Sequence, residues 1–308
     1  MTRCTPAPGL CPGAAIRLRE GDAPIDRAQT DPISFQRNVI LGVLLSLAAA
    51  AWAVLAWQGA AGHMDMTIDS PTMGLRAPLF LAIWVVMMVA MMFPAAAPMI
   101  VTFHKVQAGK RQRSEAFVST WIFVAAYLLV WGLAGVAGYV GALAAEAVAA
   151  RIALTPAVAG RVGGALLLAT GAYQLTPLKD LCLSKCRRPL TFIMTSWRDG
   201  AAGALRMGLL HGAYCLGCCW LLFVILFPLG IMNMAVMAVI TLIIFAEKTL
   251  PWGRAVARAA AIALIAYGSV VVAAPQFLPT FSAGHDMDMT GIIRVPKPGL
   301  RSQNPASS

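Results

Sequence analysis

Apolar runs separated by short polar connections make up most of the chain after residue 37. Seven such runs stand out, with approximate bounds 38–57, 79–103, 115–144, 157–175, 205–227, 231–247 and 255–274. A run of about 20 apolar residues is long enough to cross a bilayer as a helix. The pattern therefore predicts an all-α, multi-pass membrane helix bundle with about seven transmembrane helices, embedded in a lipid bilayer.

The composition excludes most soluble classes. Of the 308 residues, 59% are hydrophobic and 12% are charged, whereas about 25% charged is usual in a soluble domain. The net charge of +11 could indicate nucleic-acid binding. The basic residues, however, lie in short loops between apolar runs, where they act as topology signals. We therefore expect no nucleic-acid partner.

The distribution of Lys and Arg predicts the orientation. With the N-terminus inside, the inner segments carry 18 of the 24 Lys and Arg residues and the outer segments carry 6. This bias predicts an inner N-terminus and an outer C-terminus. Residues 1–37, which include Cys4 and Cys11, are predicted to be a disordered cytoplasmic tail without a signal peptide. Residues 38–275 form the bundle, with its core at 79–250, and residues 276–308 form a flexible outer tail.

The fifth run contains polar and sulfur-bearing side chains that are unusual in a membrane helix: His211, Cys215, Cys218 and Cys219. On a helix they share, together with Met207, one face about 120° wide. Cys215 lies one turn from Cys218 and Cys219, whereas His211 and Cys218 are about 10 Å apart along the axis. Two thiolates one turn apart, with a thioether or imidazole from another helix, suit a soft ion such as Cu(I). The alternative is that each cysteine is a small hydrophobic residue in the core.

The second run contains a stripe of four methionines, which are Met87, Met88, Met91 and Met92. Such a stripe is either adaptable packing or a set of thioether ligands. In the same run, Pro94 and Pro98 lack an amide hydrogen, so backbone carbonyls near the cytoplasmic end need another partner or a wet cavity.

Two further motifs follow. Cys182 and Cys186, in the loop after the fourth run, could bind a metal, form a disulfide or remain reduced thiols. Glu247, at the inner end of the sixth run, is either a partner for a cation or part of a snorkelling ion pair.

Gly208 and Gly212 allow another helix to approach the fifth run closely, which would bring a further ligand near Cys215.

Two short segments more than 200 residues apart repeat nearly the same motif on the predicted outer face. One contains His63, Met64 and Met66, and the other contains His285, Met287 and Met289. Thioether and imidazole groups bind copper in either oxidation state, and thioethers do not form disulfides. We therefore expect copper-binding loops there, unless the repetition is chance in a chain with 16 methionines.

Several of these motifs occur together in a known family. The run Trp84 to Pro94, the Cys182-x3-Cys186 pair, the stretch Gly212 to Trp220, Met232-Asn233 and Glu247-Lys248 resemble the predicted metal-binding integral membrane proteins. Members of that family are often described as copper chaperones, and the resemblance covers roughly residues 75 to 255. It implies copper handling in the bacterial inner membrane in support of a copper-requiring enzyme. The implied motif positions are Met87, Met88, Met91, Met92, Cys182, Cys186, Cys215, Cys218, Cys219 and Glu247.

The sequence thus predicts a non-enzymatic inner-membrane protein that binds Cu(I) in the bundle. It would pass the ion to a copper-requiring enzyme or a periplasmic copper carrier through the outer loops. One alternative is a membrane thiol–disulfide oxidoreductase, which needs reactive cysteines on the oxidising side, and no predicted outer loop has one. A passive metal-ion transporter would use the same ligands and stays open.

Overall fold

The computed structural model describes residues 31–60, 75–113, 117–152, 155–231 and 233–278, and these are helical almost throughout, with no strand among them. A single 3-10 turn, Pro275–Phe277, follows the last helix. The helices in chain order are α1 Asp31–Ala60, α2 Ala77–Gln112, α3 Thr120–Arg151, α4 Pro156–Gln174, α5 Pro177–Arg187, α6 Pro189–Ser196, α7 Gly200–Val224, α8 Leu226–Leu229, α9 Met234–Thr249 and α10 Gly253–Ala273.

The predicted all-α class is confirmed, and a helix lies at each of the seven predicted runs. Five helical segments are long and apolar enough to cross a membrane, which suggests a membrane protein; they lie in α1, α2, α3, α7–α8 and α10. Helix α9 has only 16 residues, which is about 24 Å of helix against a hydrocarbon core of about 30 Å. The number of seven spans and the orientation stay predictions.

Several predicted boundaries differ from the structure. Helix α1 begins at Asp31, seven residues before the predicted start at residue 38, so the prediction of a disordered tail was wrong for residues 31–37. Helix α3 covers Thr120–Arg151 instead of 115–144. The predicted loop after the fourth run contains two helices, α5 and α6. Each begins with a proline at its first position, and the side chain of Thr176 accepts a hydrogen bond from the backbone of Lys179 to cap α5. Proline at the first helical position is a common helix start signal.

Helices α3 and α7 approach closely where α7 carries glycines. A Cβ atom at Gly208 would lie 2.7 Å from the Cβ of Ala126, and one at Gly212 would lie 2.8 Å from Cγ2 of Val130. No larger residue fits at either distance without moving α3. The predicted close approach at Gly208 and Gly212 is therefore confirmed, and it brings α3 against the cysteine-bearing face of α7.

Within α2, the backbone carbonyl that Pro94 leaves free has a hydrogen-bond partner from another helix. Pro94 cannot donate to the carbonyl of Ala90, four residues earlier. The indole of Trp52, on α1, donates a hydrogen bond to that carbonyl at 3.1 Å. A buried carbonyl in an apolar environment is thus satisfied by a neighbouring helix.

The far end of α2 is tied to the start of α7 by an ion pair. Lys110 of α2 pairs with Asp199, which immediately precedes α7, and the Trp197 indole also donates to Asp199. Both contacts favour the carboxylate, so they hold the pKa of Asp199 below its usual value. This contact joins the end of α2 to the residue that precedes α7.

Candidate metal-binding site

Three cysteine thiols lie on the buried face of α7. Cys215, Cys218 and Cys219 are each at most 2% exposed. The thiols of Cys218 and Cys219 both donate to the carbonyl of Cys215, at 3.1 and 2.8 Å. This follows from their spacing of three and four residues, which places them one turn beyond Cys215 on the same face.

Two more thiols reach this face from α5. Cys182 lies directly over the backbone of α7, because a Cβ at Gly217 would be only 2.9 Å from its Sγ atom. The thiol of Cys186, one turn further along α5, interacts with the thiols of Cys215 and Cys218. All five cysteines in the described part of the chain are free thiols. The disulfide that the sequence left open for Cys182 and Cys186 is therefore not formed, and α5 joins the α7 cysteines instead.

The sulfur of Cys215 has two polar neighbours from other helices. Lys248 of α9 donates to it at 2.9 Å, and the hydroxyl of Tyr127 on α3 lies 3.1 Å from it. Both side chains are buried, Tyr127 completely and Lys248 with 8% exposure. The ammonium that donates to this sulfur favours its thiolate form.

Glu247, the neighbour of Lys248, is held in a buried ion pair. Its carboxylate accepts from Lys179 of α5 at 2.7 Å and from Gln174 at 3.3 Å. Lys179 is fully buried, so the pair does not snorkel toward an aqueous surface. Lys179 is one of the basic residues that were assigned to the inner segments. Its burial against Glu247 makes it part of the charge arrangement of the site.

His211 is buried without a hydrogen-bond partner for either ring nitrogen. Its ring stacks on Tyr127 at 5.4 Å and on Phe123 at 5.8 Å between centroids, and Phe192 packs against it at an angle. A buried imidazole normally satisfies at least one nitrogen. One turn before Cys215, His211 therefore has a free lone pair for a ligand.

The four predicted methionines of α2 are at most 1% exposed and belong to the same apolar core as the α7 cysteines. Their placement fits both interpretations that the sequence left open, packing and thioether ligands.

The thiols are not arranged as a preformed cage. Among the described residues, no three His, Cys, Asp or Glu side chains stand together as ligands for one ion. The sulfur atoms of Cys218 and Cys219 do not converge on a shared point. Both point toward the Cys215 carbonyl, to which they donate hydrogen bonds. Capture of an ion by several of them requires rotation of these thiols about their Cα–Cβ bonds.

Several predicted positions lie outside the described residues, and the structure says nothing about them. They are His63, Met64, Met66, His285, Met287, Met289 and Met232, together with Cys4 and Cys11 of the predicted tail.

Sequence reasoning missed Tyr127, Lys179 and the direct contact of Lys248 with Cys215. A signal existed for the two lysines, because a basic residue beside an apolar run needs a buried partner when it does not face water. For Tyr127 there was no signal beyond a single polar ring in an apolar helix.

Comparison with known proteins adds one match. The family model described as PpoB2, copper chaperone, matches residues 81–271, which is more than half of the 308-residue chain. No curated protein and no solved structure was found to match the chain. The matched range contains every helix that contributes a thiol to the site.

Proposed function

Because the chain belongs to the PpoB2 copper chaperone family, we propose that it is an integral membrane protein that holds Cu(I) at the thiols between α5 and α7 and passes the ion to a partner protein. The family membership supports a copper-related role and a recipient for the ion. The five candidate membrane-spanning segments support the bilayer location, and we assign it to the bacterial inner membrane.

The observation that carries the proposal is the meeting of five free thiols from two helices. Cys182 and Cys186 of α5 join Cys215, Cys218 and Cys219 of α7. Cysteines scattered as small hydrophobic residues would have no reason to meet in this way. Thiolate sulfur is the preferred donor for Cu(I). We assign the primary site to Cys215, Cys218 and Cys186, within reach of Cys219 and Cys182.

The unpartnered imidazole of His211 and the thioethers of Met87, Met88, Met91 and Met92 serve as further donors along the ion's path. Copper moves between such soft donors by ligand exchange, which needs no covalent chemistry. Glu247 holds Lys179 and so fixes α5 against α9; it is a positioning residue in this scheme.

The outer loops complete the proposal. With the N-terminus inside and seven spans, the motifs with His63, Met64 and Met66 and with His285, Met287 and Met289 face the periplasm. There the thioethers and imidazoles transfer copper to a copper-requiring enzyme or to a periplasmic carrier. We assign residues 1–30, ahead of α1, to the cytoplasmic tail and residues 279–308, after the 3-10 turn, to the periplasmic tail.

The bundle site is tested by the copper content of protein purified in detergent from copper-replete cells. We expect about one or more Cu(I) per chain in the wild type and loss of that copper in Cys215→Ser/Cys218→Ser. The matched control is Cys4→Ser/Cys11→Ser, which removes the same number of thiols from the predicted tail and should retain the copper. Equal copper in both double variants, or zinc alone in the wild type, would contradict the proposal.

Handover is tested separately by deletion of residues 284–289. The deletion should impair metallation of the recipient enzyme and leave the bundle copper in place. Loss of the bundle copper as well would contradict this division of roles.

A measurement of copper flux distinguishes a passive metal-ion transporter from a chaperone. Inside-out vesicles that contain the protein should show no sustained copper uptake without a partner protein. Sustained uptake would favour the transporter.

A further inference from the structure

A cavity of about 180 Å³ lies at one end of the bundle, between α1, the end of α2 and the start of α3. Its lining includes Ile40 of α1, His104 and Arg111 of α2, and Thr120 and Trp121 of α3. The volume is about six times the share of one water molecule in the liquid, so a phosphate group fits inside. None of the described cysteines or methionines lines this cavity, which is therefore separate from the proposed copper site.

The cavity lies at the level where three candidate membrane-spanning segments end. The segment in α1 begins at Ser34, the segment in α2 ends at Arg111, and the segment in α3 begins at Thr120. The polar headgroups of a bilayer occupy the level at which spanning helices end. Trp121, which is 47% exposed, stands at this level, where tryptophan is enriched in membrane proteins. The cavity is thus placed beside the headgroups.

A hydrogen-bond donor at the cavity has no acceptor. The hydroxyl of Thr120 lies 3.2 Å from Nδ1 of His104 and has no other partner among the described residues, so it donates to Nδ1. The hydrogen of a neutral imidazole is then on Nε2. In the described part of the chain, Nε2 of His104 is buried without a partner. A buried donor left unpaired is unfavourable, and a ligand oxygen in the cavity would satisfy it.

The other polar groups of the lining are also donors. The side-chain oxygen of Gln107 accepts from the backbone amide of Val118 at 3.1 Å, which leaves the amide nitrogen of Gln107 as a donor. The Arg111 guanidinium carbon lies 4.9 Å from the centroid of the Phe117 ring, and Arg111 has no carboxylate partner among the described residues. No Asp or Glu is among the described lining residues. A cation and several donors without a carboxylate favour an anion with several acceptor oxygens.

We propose that this cavity binds the phosphate group of an anionic membrane phospholipid, with Arg111 as the charged contact and with Nε2 of His104 and the amide of Gln107 as hydrogen-bond donors. The apolar lining residue Ile40 lies next to the part of the lipid that follows the headgroup. Basic pockets at the ends of transmembrane helices are suited to anionic headgroups. The proposal rests on the bilayer location in the proposed function and does not depend on copper binding.

A specific site at Arg111 differs in magnitude from general attraction to an anionic surface. A hydrogen bond to a charged group changes a binding equilibrium by about 10-fold to 100-fold. A basic side chain that is only near an anionic surface changes it by about 5-fold. Arg113 provides the comparison, because it is exposed at the end of α2 and does not line the cavity.

The experiment titrates the full chain, purified in a neutral detergent, and follows its thermal unfolding, because a ligand that binds the folded state raises the melting temperature. The three probes are dioctanoyl phosphatidylglycerol, dioctanoyl phosphatidylcholine and inorganic phosphate. Phosphatidylcholine has the same chains and a phosphate but no net charge, and inorganic phosphate has the charge without the lipid. Wild type, Arg111→Gln and the matched control Arg113→Gln are compared.

We expect phosphatidylglycerol to raise the melting temperature of the wild type in a saturable manner, and the other two probes to leave it unchanged. The apparent affinity for phosphatidylglycerol should fall about 10-fold to 100-fold in Arg111→Gln and at most about 5-fold in Arg113→Gln. His104→Phe, which keeps a ring but removes the donor, should lower it about 10-fold. If His104→Phe does not fold, the comparison of the two arginine variants decides alone.

Equal losses in Arg111→Gln and Arg113→Gln would overturn the site, because they would show general surface attraction only. Equal stabilisation by phosphatidylcholine would overturn the preference for an anion, and equal stabilisation by inorganic phosphate would overturn the lipid as its source. The copper content of the same wild-type sample separates this proposal from the proposed function. Copper without a preference for phosphatidylglycerol overturns only the lipid site, and the preference without copper overturns only the copper role.

Discussion

Gly217 allows Cys182, a proposed copper ligand, to be displaced without the removal of any sulfur atom. It lies on α7 directly beneath Cys182 of α5, and a Cβ added there would be 2.9 Å from the Cys182 Sγ and 3.7 Å from its Cβ. Ordinary contacts between such heavy atoms are about 3.5–4.0 Å. In Gly217→Ala the thiol must therefore move by about 1 Å or rotate into another rotamer.

The fold should hardly change in stability, because two small effects oppose each other. Rotation of the Cys182 thiol away from its favoured position costs about 0.5–1.5 kcal/mol. Replacement of a glycine inside a helix by alanine contributes about 0.5–1 kcal/mol in the other direction. Copper binding has no such compensation, because the added methyl group also restricts the rotation by which the Cys182 thiol would join the other sulfur atoms, and we expect copper affinity to fall about 10-fold to 100-fold.

The assay is competition for Cu(I) with a chromogenic chelator, performed beside thermal unfolding of the same detergent-solubilised samples. The matched control is Gly132→Ala on α3, where an added Cβ meets no atom within 4 Å, so copper affinity should stay at the wild-type value. If Gly217→Ala keeps full affinity and unchanged stability, Cys182 is not a ligand. If it unfolds, the account of the α5–α7 contact is wrong.

Three other substitutions test the scaffold through thermal unfolding in detergent. Trp52→Phe leaves the Ala90 carbonyl without a partner and should cost about 1–3 kcal/mol, and an unchanged melting temperature would show that the hydrogen bond is dispensable. Lys179→Met and Glu247→Gln should each cost about 3–5 kcal/mol, while the double variant should cost clearly less than the sum; additive losses would refute the buried pair. Gly212→Ala places a Cβ 2.8 Å from a valine of α3 and should cost about 1–3 kcal/mol, and no loss would mean that α3 moves freely.

The helical class was predictable because apolar length is a local property. Runs of hydrophobic residues locate α1, α2, α3, α7 and α10, and the start signals Thr176-Pro177 and Arg188-Pro189 could also have revealed α5 and α6. The number of spans was less predictable, because α9 is short and α4 is not among the segments long and apolar enough to cross a membrane.

Only the part of the candidate site that lies on α7 could be predicted from the sequence. The spacing of Cys215, Cys218 and Cys219 predicts one buried face, and periodicity is enough for that. The arrival of Cys182 at this face depends on how α5 folds back against α7, and the contact of Lys248 with Cys215 joins residues 33 positions apart. Such pairings are tertiary contacts, and no local pattern in one sequence specifies them.

The most direct test of the account is X-ray absorption at the copper edge of the Cu(I)-loaded wild-type protein, with Cys215→Ser/Cys218→Ser as the comparison. The account predicts a first shell of about two or three sulfur atoms around Cu(I), and loss of that shell in the double variant. A shell of nitrogen and oxygen alone, or a sulfur shell that survives both substitutions, would contradict a copper site at the thiols between α5 and α7.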